Sequence, residues 1–373
     1  LVGSGKSLSL ASARMCFYLV LKNLNIKKGD EVILNGSTCS VMVNAVLRTK
    51  ATPIFSDISK DTFGSSLEGI KNVYSSRTKI IVAQHSFGIP CEIDKIKEFA
   101  NKNNVFLLED CALSVGSKIA NFKIGTFGNA AIFSTDRSKP LNTIIGGIIY
   151  TENENLYNEL KLLQKNAREL DDNKILSIWN EFMLERKYCN PLGNRKYNLI
   201  SSIRNYLRLA FQLESPFLDQ DSGTSFNSTY PYPAKLPNFL SKVGILEIQK
   251  WNKDVVKKKK VLKAYIKFMK IKNLDQFIPK SYLDTKLDII PSRFVFSIPN
   301  GENMRKNINK YLNTSWIWFL KPIVATNEPL HKFGYKVGSC PIAEEIGKGI
   351  INLPINLEEK HLEDLLNKLT KEM

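Results

Sequence analysis

The order of apolar and polar positions along the chain predicts alternating strands and helices over its first half. A helical apolar period marks residues 13–24, and "KKGD" (27–30) supplies a Gly-centred turn that ends that helix. Short apolar runs predict strands at "EVIL" (31–34), "TPIFSDI" (52–58), "TKIIVAQ" (78–84), "VFLLED" (105–110), "NAAIFST" (129–135) and "GIIYTE" (147–152). Between them, "SVMVNAVLRT" (40–49) and "EIDKIKEFANKN" (92–103) read as helices. The alternation predicts an α/β domain with a mainly parallel central sheet flanked by helices. Ligands of such sheets sit beyond the carboxyl ends of the strands, which singles out Asp57, Glu109-Asp110 and Ser134.

Beyond this region the pattern changes. Residues 154–185 are helical and charged, and 186–236 read as an irregular insert with loop signals in "NPLGNRKYN" and "STYPYPAKLP". Within it, "LISSIRNYLRLAFQLE" (199–214) predicts an amphipathic helix carrying Arg204 and Arg208. A long helix starts near 237 and leads into a smaller C-terminal α/β domain, with a strand in "PSRFVFSIP" and a last helix in "LEEKHLEDLLNKLTKE". The predicted division is therefore 1–236 and 237–373.

The opening "LVGSGKSLSL" ends like a phosphate-binding loop. The glycine such a loop needs five positions before its Gly-Lys-Ser would precede Leu1, and no apolar strand leads into it. It reads as a flexible segment, with Lys6 and Ser7 as an entry to a site elsewhere. No charged stretch leads into an apolar core there, so no signal peptide is expected, and no apolar run is long enough for a spanning helix.

The net charge of +17 brings nucleic acid, membrane surfaces and anionic substrates into view. Its densest source is the lysine-rich run 253–272, where Val255, Val256, Val261, Leu262, Tyr265, Ile266 and Met269 recur at helical spacing. That pattern is an amphipathic helix with a solvated lysine face, so no nucleic-acid partner is expected. The six cysteines show no CxxC pair and the three histidines are scattered. No metal centre is expected, and the cysteine usage suits a reducing cytoplasm.

Asp110, Ser134 and Lys139 fall at one edge of the predicted sheet. A lysine amine can form a Schiff base with an aldehyde cofactor, an aspartate can keep a pyridinium nitrogen protonated, and a serine can bond a phosphate oxygen. Together they suit pyridoxal 5'-phosphate.

The chain also resembles the DegT-type (DegT/DnrJ/EryC1/StrS) nucleotide-sugar aminotransferases, which have the fold-type I pyridoxal-phosphate architecture. The resemblance lies in the ordered set "KKGDEVIL", "STCSVMVNAVLRTKATPIFSDI", "QHSFGIPCEIDKIKEFA", "LLEDCALSVGS", "IGTFGNAAIFS", "RSKPLNTIIGG" and "GSCPIAEEIGKGIINLPIN". It implies that Lys139 is the Schiff-base lysine and acid/base, that Asp110 pairs with the pyridine nitrogen, and that Ser134 contacts the phosphate. It also implies that Ser12, Ala13 and Arg14 bring a helix start to that phosphate. Cys39 falls in the segment that approaches the cofactor ring, and reads equally as a small buried hydrophobe. Leu113 stands where many relatives have Gln or His reaching the cofactor hydroxyl. Ala13, Thr135 and Ile144-Ile145 are further departures. Asp136 and Arg137 read as loop charges or as contacts for substrate phosphates.

The function implied is transfer of an amino group from glutamate to a nucleotide-linked keto-sugar, in surface polysaccharide or glycolipid synthesis, by a homodimer with shared active sites. A sugar dehydratase of the same fold is the alternative within the family, but relatives of that kind carry His where this chain has Lys139. A non-catalytic basic binding protein is the alternative outside it. A peripheral membrane contact of the 199–214 helix is compatible with either class, but a core or dimer-contact helix is the preferred reading.

Overall fold

In the computed structural model, which describes residues 2–372 apart from 189–193, 212–214, 216, 219–222, 227 and 313–317, the predicted strands join one seven-stranded sheet. Its order is Lys6–Leu10, Gly147–Thr151, Ala130–Ser134, Phe106–Asp110, Thr78–Gln84, Glu31–Asn35 and Thr52–Ser56. Neighbours from Ala130–Ser134 through to Thr52–Ser56 are parallel, whereas Gly147–Thr151 runs antiparallel to both of its neighbours. Glu31–Asn35 and Ala130–Ser134 are buried at every position. Burial on both faces is why these strands read as continuous apolar runs rather than alternations.

Ala13–Asn23, Ser40–Leu47 and Ile93–Lys102 are the predicted helices. Leu67–Val73 was not foreseen from the apolar pattern. It is short, and its start is fixed by Ser66, whose hydroxyl accepts the Gly69 N–H.

The opening segment corrects the expectation of a flexible, site-entering stretch. Lys6–Leu10 is an edge strand in antiparallel register with Gly147–Thr151, and Leu8 and Leu10 are buried. Lys6 is exposed and paired with Glu154, a bond that raises the lysine's pKa, and neither Lys6 nor Ser7 lines the site described below. Its alternation is only two leucines long, and its partner strand lies far along the chain.

The C-terminal region begins with the helix Asn238–Ile271. It continues through the antiparallel pair Phe294–Ser297 and Ile350–Leu353 and the helices Gly301–Ile308, Pro341–Gly349 and Glu359–Glu372. One apolar cluster holds Met15 and Val43 as well as Tyr265, Phe294 and Leu353, so this region packs on the first. The lysine-rich run is helical as predicted, with Val261, Leu262, Tyr265 and Met269 buried, but Val256 is 71% exposed. Lys258 is instead buried against the Trp251 ring, at 4.6 Å, and burial pulls its ammonium down to about 8.

Asp57 is not a site residue. Its carboxylate accepts the Ile342 and Ala343 N–H groups, each at 2.9 Å, and so caps the helix Pro341–Gly349. A helix spans Asp172–Tyr188 and leads into the insert, where the helix expected at 199–214 runs from Asn194 to Ala210, with 212–214 outside the described residues.

Candidate active site

The site grows from the carboxyl edge of the sheet. Strand register sets Ser134 opposite Gly147, and Ser12 forms a bridge with Gly146. The two serines therefore flank the Gly146-Gly147 pair. A Cβ on Gly147 would press into the backbone at Ser12 and Ala13, so glycine is what lets the helix Ala13–Asn23 start against the strand. Ser12 caps that helix, its hydroxyl accepting the Met15 N–H at 3.4 Å. The first N–H groups of a helix lack intrahelical partners and carry the positive end of its dipole, which suits an anion.

Asp110 ends its strand in a buried position. Among the described residues its carboxylate takes one hydrogen bond, from the Ala112 N–H at 3.0 Å. Burial pushes this carboxyl above its usual range, against Ala112, Lys139 and His85, which favour the charged form. The preceding residue faces the other way. Glu109 accepts the N–H groups of Gly125, Phe127 and Gly128, each at 2.7 Å, and lies 3.0 Å from His85 Nε2. His85 Nδ1 accepts the Cys91 N–H at 3.0 Å. His85, Glu109 and Cys111 bring metal-ligating atoms within 4.8 Å of one another. The His85 and Glu109 atoms, however, are engaged in this network, which fixes the strand end carrying Asp110.

Lys139 lies on a loop closed at its neck. Thr143 N–H bonds Thr135 O at 2.8 Å, and Thr135 N–H bonds Gly146 O at 3.0 Å. Ile144 in this loop has φ of 69°, a left-handed conformation that strains a β-branched residue. It is held there by the Asn142 side chain, which accepts the Ile144 N–H at 2.8 Å. Lys139 Nζ sits 4.4 Å from the centre of the Trp318 ring. Burial pulls its ammonium below the ordinary lysine value and Arg293 acts in the same direction, while Cys39, Asp136 and Asp110 oppose them. A larger share of neutral amine results, which is the nucleophilic form.

Ser12, Ala13, Arg14, Cys39, Asp110, Leu113, Ser134 and Lys139 all line one cavity of about 610 Å³. That volume is within the ordinary range for small-molecule sites. Burial pushes the Cys39 thiol up, which keeps it neutral. Leu113 adds an apolar wall. The cavity also holds residues that sequence reasoning did not assign. Gln84 and His85 stood inside the "QHSFGIP" segment, Arg293 opens the strand in "PSRFVFSIP", and Trp318 and Phe319 come from the C-terminal region. Burial lowers the pKa of Arg293, which remains a cation.

Arg137, at the cavity wall, connects the loop to the insert. Its guanidinium meets Glu185 at 3.2 Å, Tyr197 at 3.2 Å and Glu181 at 3.4 Å. Glu181 also accepts from Tyr197 at 2.9 Å and Arg204 at 2.9 Å. Burial pushes the Glu185 carboxyl up to about 7, with Glu181 and Asp136 adding to the rise and Arg137 and Asn142 opposing it. The folded chain thus holds this proton more tightly than the unfolded chain, whose carboxyl titrates near 4.5. The resulting stability is complete below pH about 4.5 and is lost as pH rises through about 7. Urea midpoints measured across this window should show the wild type losing stability relative to Glu185→Gln as pH rises. A constant difference would contradict the assignment.

The chain matches the model of the DegT/DnrJ/EryC1/StrS aminotransferase family over residues 1–182. It is 26% identical over 385 residues to the uncharacterized protein MJ1066 of Methanocaldococcus jannaschii, covering 99% of this chain and 86% of that protein. With the GDP-perosamine synthase of Escherichia coli O157:H7 it shares 37% identity over 149 residues, 40% of this chain and 41% of that enzyme. Among solved structures, Helicobacter pylori PseC, an aminotransferase involved in the biosynthesis of pseudoaminic acid, superposes with a TM-score of 0.72 at 18% identity, covering 100% of this chain and 87% of that one. The aminotransferase TlmJ from Streptoalloteichus hindustanus gives a TM-score of 0.72 at 18% identity, covering 100% and 86%. At these identities the structural likeness is one of fold.

Proposed function

We propose that the chain is a pyridoxal-phosphate-dependent member of the DegT/DnrJ/EryC1/StrS aminotransferase family, whose model its residues 1–182 match, and that it moves an amino group from glutamate to a keto-sugar carried on a nucleotide. The observation that supports this most is the meeting of Lys139, Asp110, Ser134 and the Ser12–Arg14 helix start in one cavity.

The donor set fits the cofactor. The N–H groups at the start of the helix Ala13–Asn23, with the Ser134 hydroxyl, would hold its phosphate. Asp110 would face the ring nitrogen: a buried carboxylate with one hydrogen bond has capacity for a cationic N–H donor, and such a partner offsets the cost of its burial. Lys139 would hold the aldehyde carbon. When bound, pyridoxal phosphate supplies an electron sink for the substrate carbon that loses or gains a proton.

The chain's own residues account for the rest. Lys139, whose ammonium is already depressed, takes and returns that proton at Nζ. Asp110, faced by a cationic N–H, would supply a fixed negative charge at the cavity wall. Trp318, Phe319 and Leu218 give the cavity an apolar wall, with the Trp318 ring against Lys139 Nζ. Arg14 and Arg293 bring positive charge to the wall, which suits a substrate carrying carboxylate or phosphate. That a relative is a GDP-perosamine synthase supports a nucleotide-linked sugar as the acceptor. The same reading has the enzyme act in surface polysaccharide or glycolipid synthesis as a homodimer whose partner completes each site.

Glutamate labelled at nitrogen tests the proposal. With a panel of nucleotide-linked keto-sugars, the label should appear in the sugar product, with 2-oxoglutarate formed in equal amount. Label that stays in glutamate with every acceptor, in protein that has bound the cofactor, would remove glutamate as the donor.

A further inference from the structure

Two neighbouring helices leave an apolar face open. Asp172–Tyr188 buries Ile178 together with Lys174 and Glu181, the two charged residues at 2% and 3% exposure, while Leu176, Trp179 and Met183, one to two turns apart on one face, lie open. Lys174 is held by the carbonyls of Ser215 and Phe217, at 2.6 and 3.2 Å, and Glu181 by the Arg137 cluster. Asn194–Ala210 likewise leaves apolar side chains open. Arg204 turns toward Glu181, and Leu199, Ile203, Tyr206 and Leu207 form an exposed stripe at helical spacing, with Tyr206 73% exposed. A ring contact of 5.2 Å between Trp179 and Phe239 joins this face to the start of Asn238–Ile271, where Ile245, Leu246 and Ile248 are exposed too. A helix in water normally turns its apolar stripe to the core. Two neighbouring helices that leave a second apolar stripe open, beside polar side chains engaged in ion pairs, present a surface that calls for an apolar partner.

The charge around this face identifies the partner. Arg186 and Lys187 are exposed at the end of the first helix, and Lys242, Lys250 and Lys253 are exposed on the neighbouring long helix. Two copies meeting on this face would bring like-charged rims together, whereas an anionic lipid surface attracts such a rim. Among the described residues no helix is long and apolar enough to cross a membrane. An apolar stripe with basic flanks on helices of this kind lies in the headgroup region instead. We propose that the helix pair Asp172–Tyr188 and Asn194–Ala210 docks this protein on anionic lipid bilayers without crossing them. The inference does not depend on the reaction. Because Arg137 ties the same helices to the cavity wall, docking would hold the active site at the bilayer surface.

Flotation of the full chain with vesicles tests the proposal. Vesicles containing phosphatidylglycerol should carry the protein, phosphatidylcholine vesicles should carry much less, and added salt should weaken the binding. The double substitution Ile203→Asp with Leu207→Asp should reduce binding by at least about tenfold, with the far-ultraviolet circular dichroism spectrum of the wild type retained as the check on folding. Lipids brominated in the acyl chain should quench the wild-type tryptophan emission, and Trp179→Phe should remove most of that quenching. The proposal is overturned if neither vesicle binds, or if the double variant binds as well as the wild type. It is also overturned if the double substitution turns a stable dimer into a monomer, which would make a second copy the occupant of this face.

Discussion

Lys139→Ala is expected to lower transamination by at least ~10³-fold and to remove the visible absorbance of lysine-linked cofactor. The substitution deletes the amine that lines the cavity and leaves the strand ends carrying Asp110 and Ser134 untouched. Pyridoxal phosphate should still bind, held by the helix start and Asp110, but as the free aldehyde with its different spectrum. A small added amine should restore part of the rate, because it can occupy the vacated volume and supply a base. In the wild type, the lysine-linked band should form faster as pH rises, with a midpoint below the ordinary lysine value, since burial depresses this ammonium. Wild-type turnover by Lys139→Ala would overturn the assignment.

Asp110→Asn is expected to lower kcat by roughly 10²–10³-fold, the range seen when one fixed electrostatic partner of a reacting centre is removed. Asparagine keeps the shape and can still accept the Ala112 N–H, so the fold should persist. What would be lost is the negative charge proposed to face the ring nitrogen. Without it that nitrogen would not be held protonated, and the electron sink would weaken. Stopped-flow measurement of the glutamate half-reaction isolates this step. A fall in cofactor affinity alone, with an unchanged half-reaction rate at saturation, would assign Asp110 to binding only.

Much of the sheet was legible because its strands are buried on both faces and so appear as unbroken apolar runs. The edge strand Lys6–Leu10 was not, since two alternating leucines among serines carry little signal and the partner strand is remote in sequence. The candidate site was legible residue by residue through motif order, and the eight assigned residues do line one cavity. What sequence could not give was the direction of side chains at adjacent positions. Glu109 and Asp110 stood together as strand-end acids, yet one binds three backbone N–H groups and His85 while the other lines the cavity. Asp57 looked equivalent to both, and instead caps a helix of the C-terminal region, a contact no local pattern announces. The amphipathic pattern of the insert was readable, but its orientation was not. Its inward face carries Arg204, which pairs with Glu181 of the preceding helix.

The most direct test of the central claim is the visible spectrum of the purified chain titrated with pyridoxal phosphate. A saturable band of lysine-linked cofactor, bleached on addition of glutamate and absent in Lys139→Ala, is the predicted result. A wild-type chain that folds, yet shows no such band at any cofactor concentration, would contradict the claim that Lys139, Asp110 and the Ser12–Arg14 helix start form a pyridoxal-phosphate site.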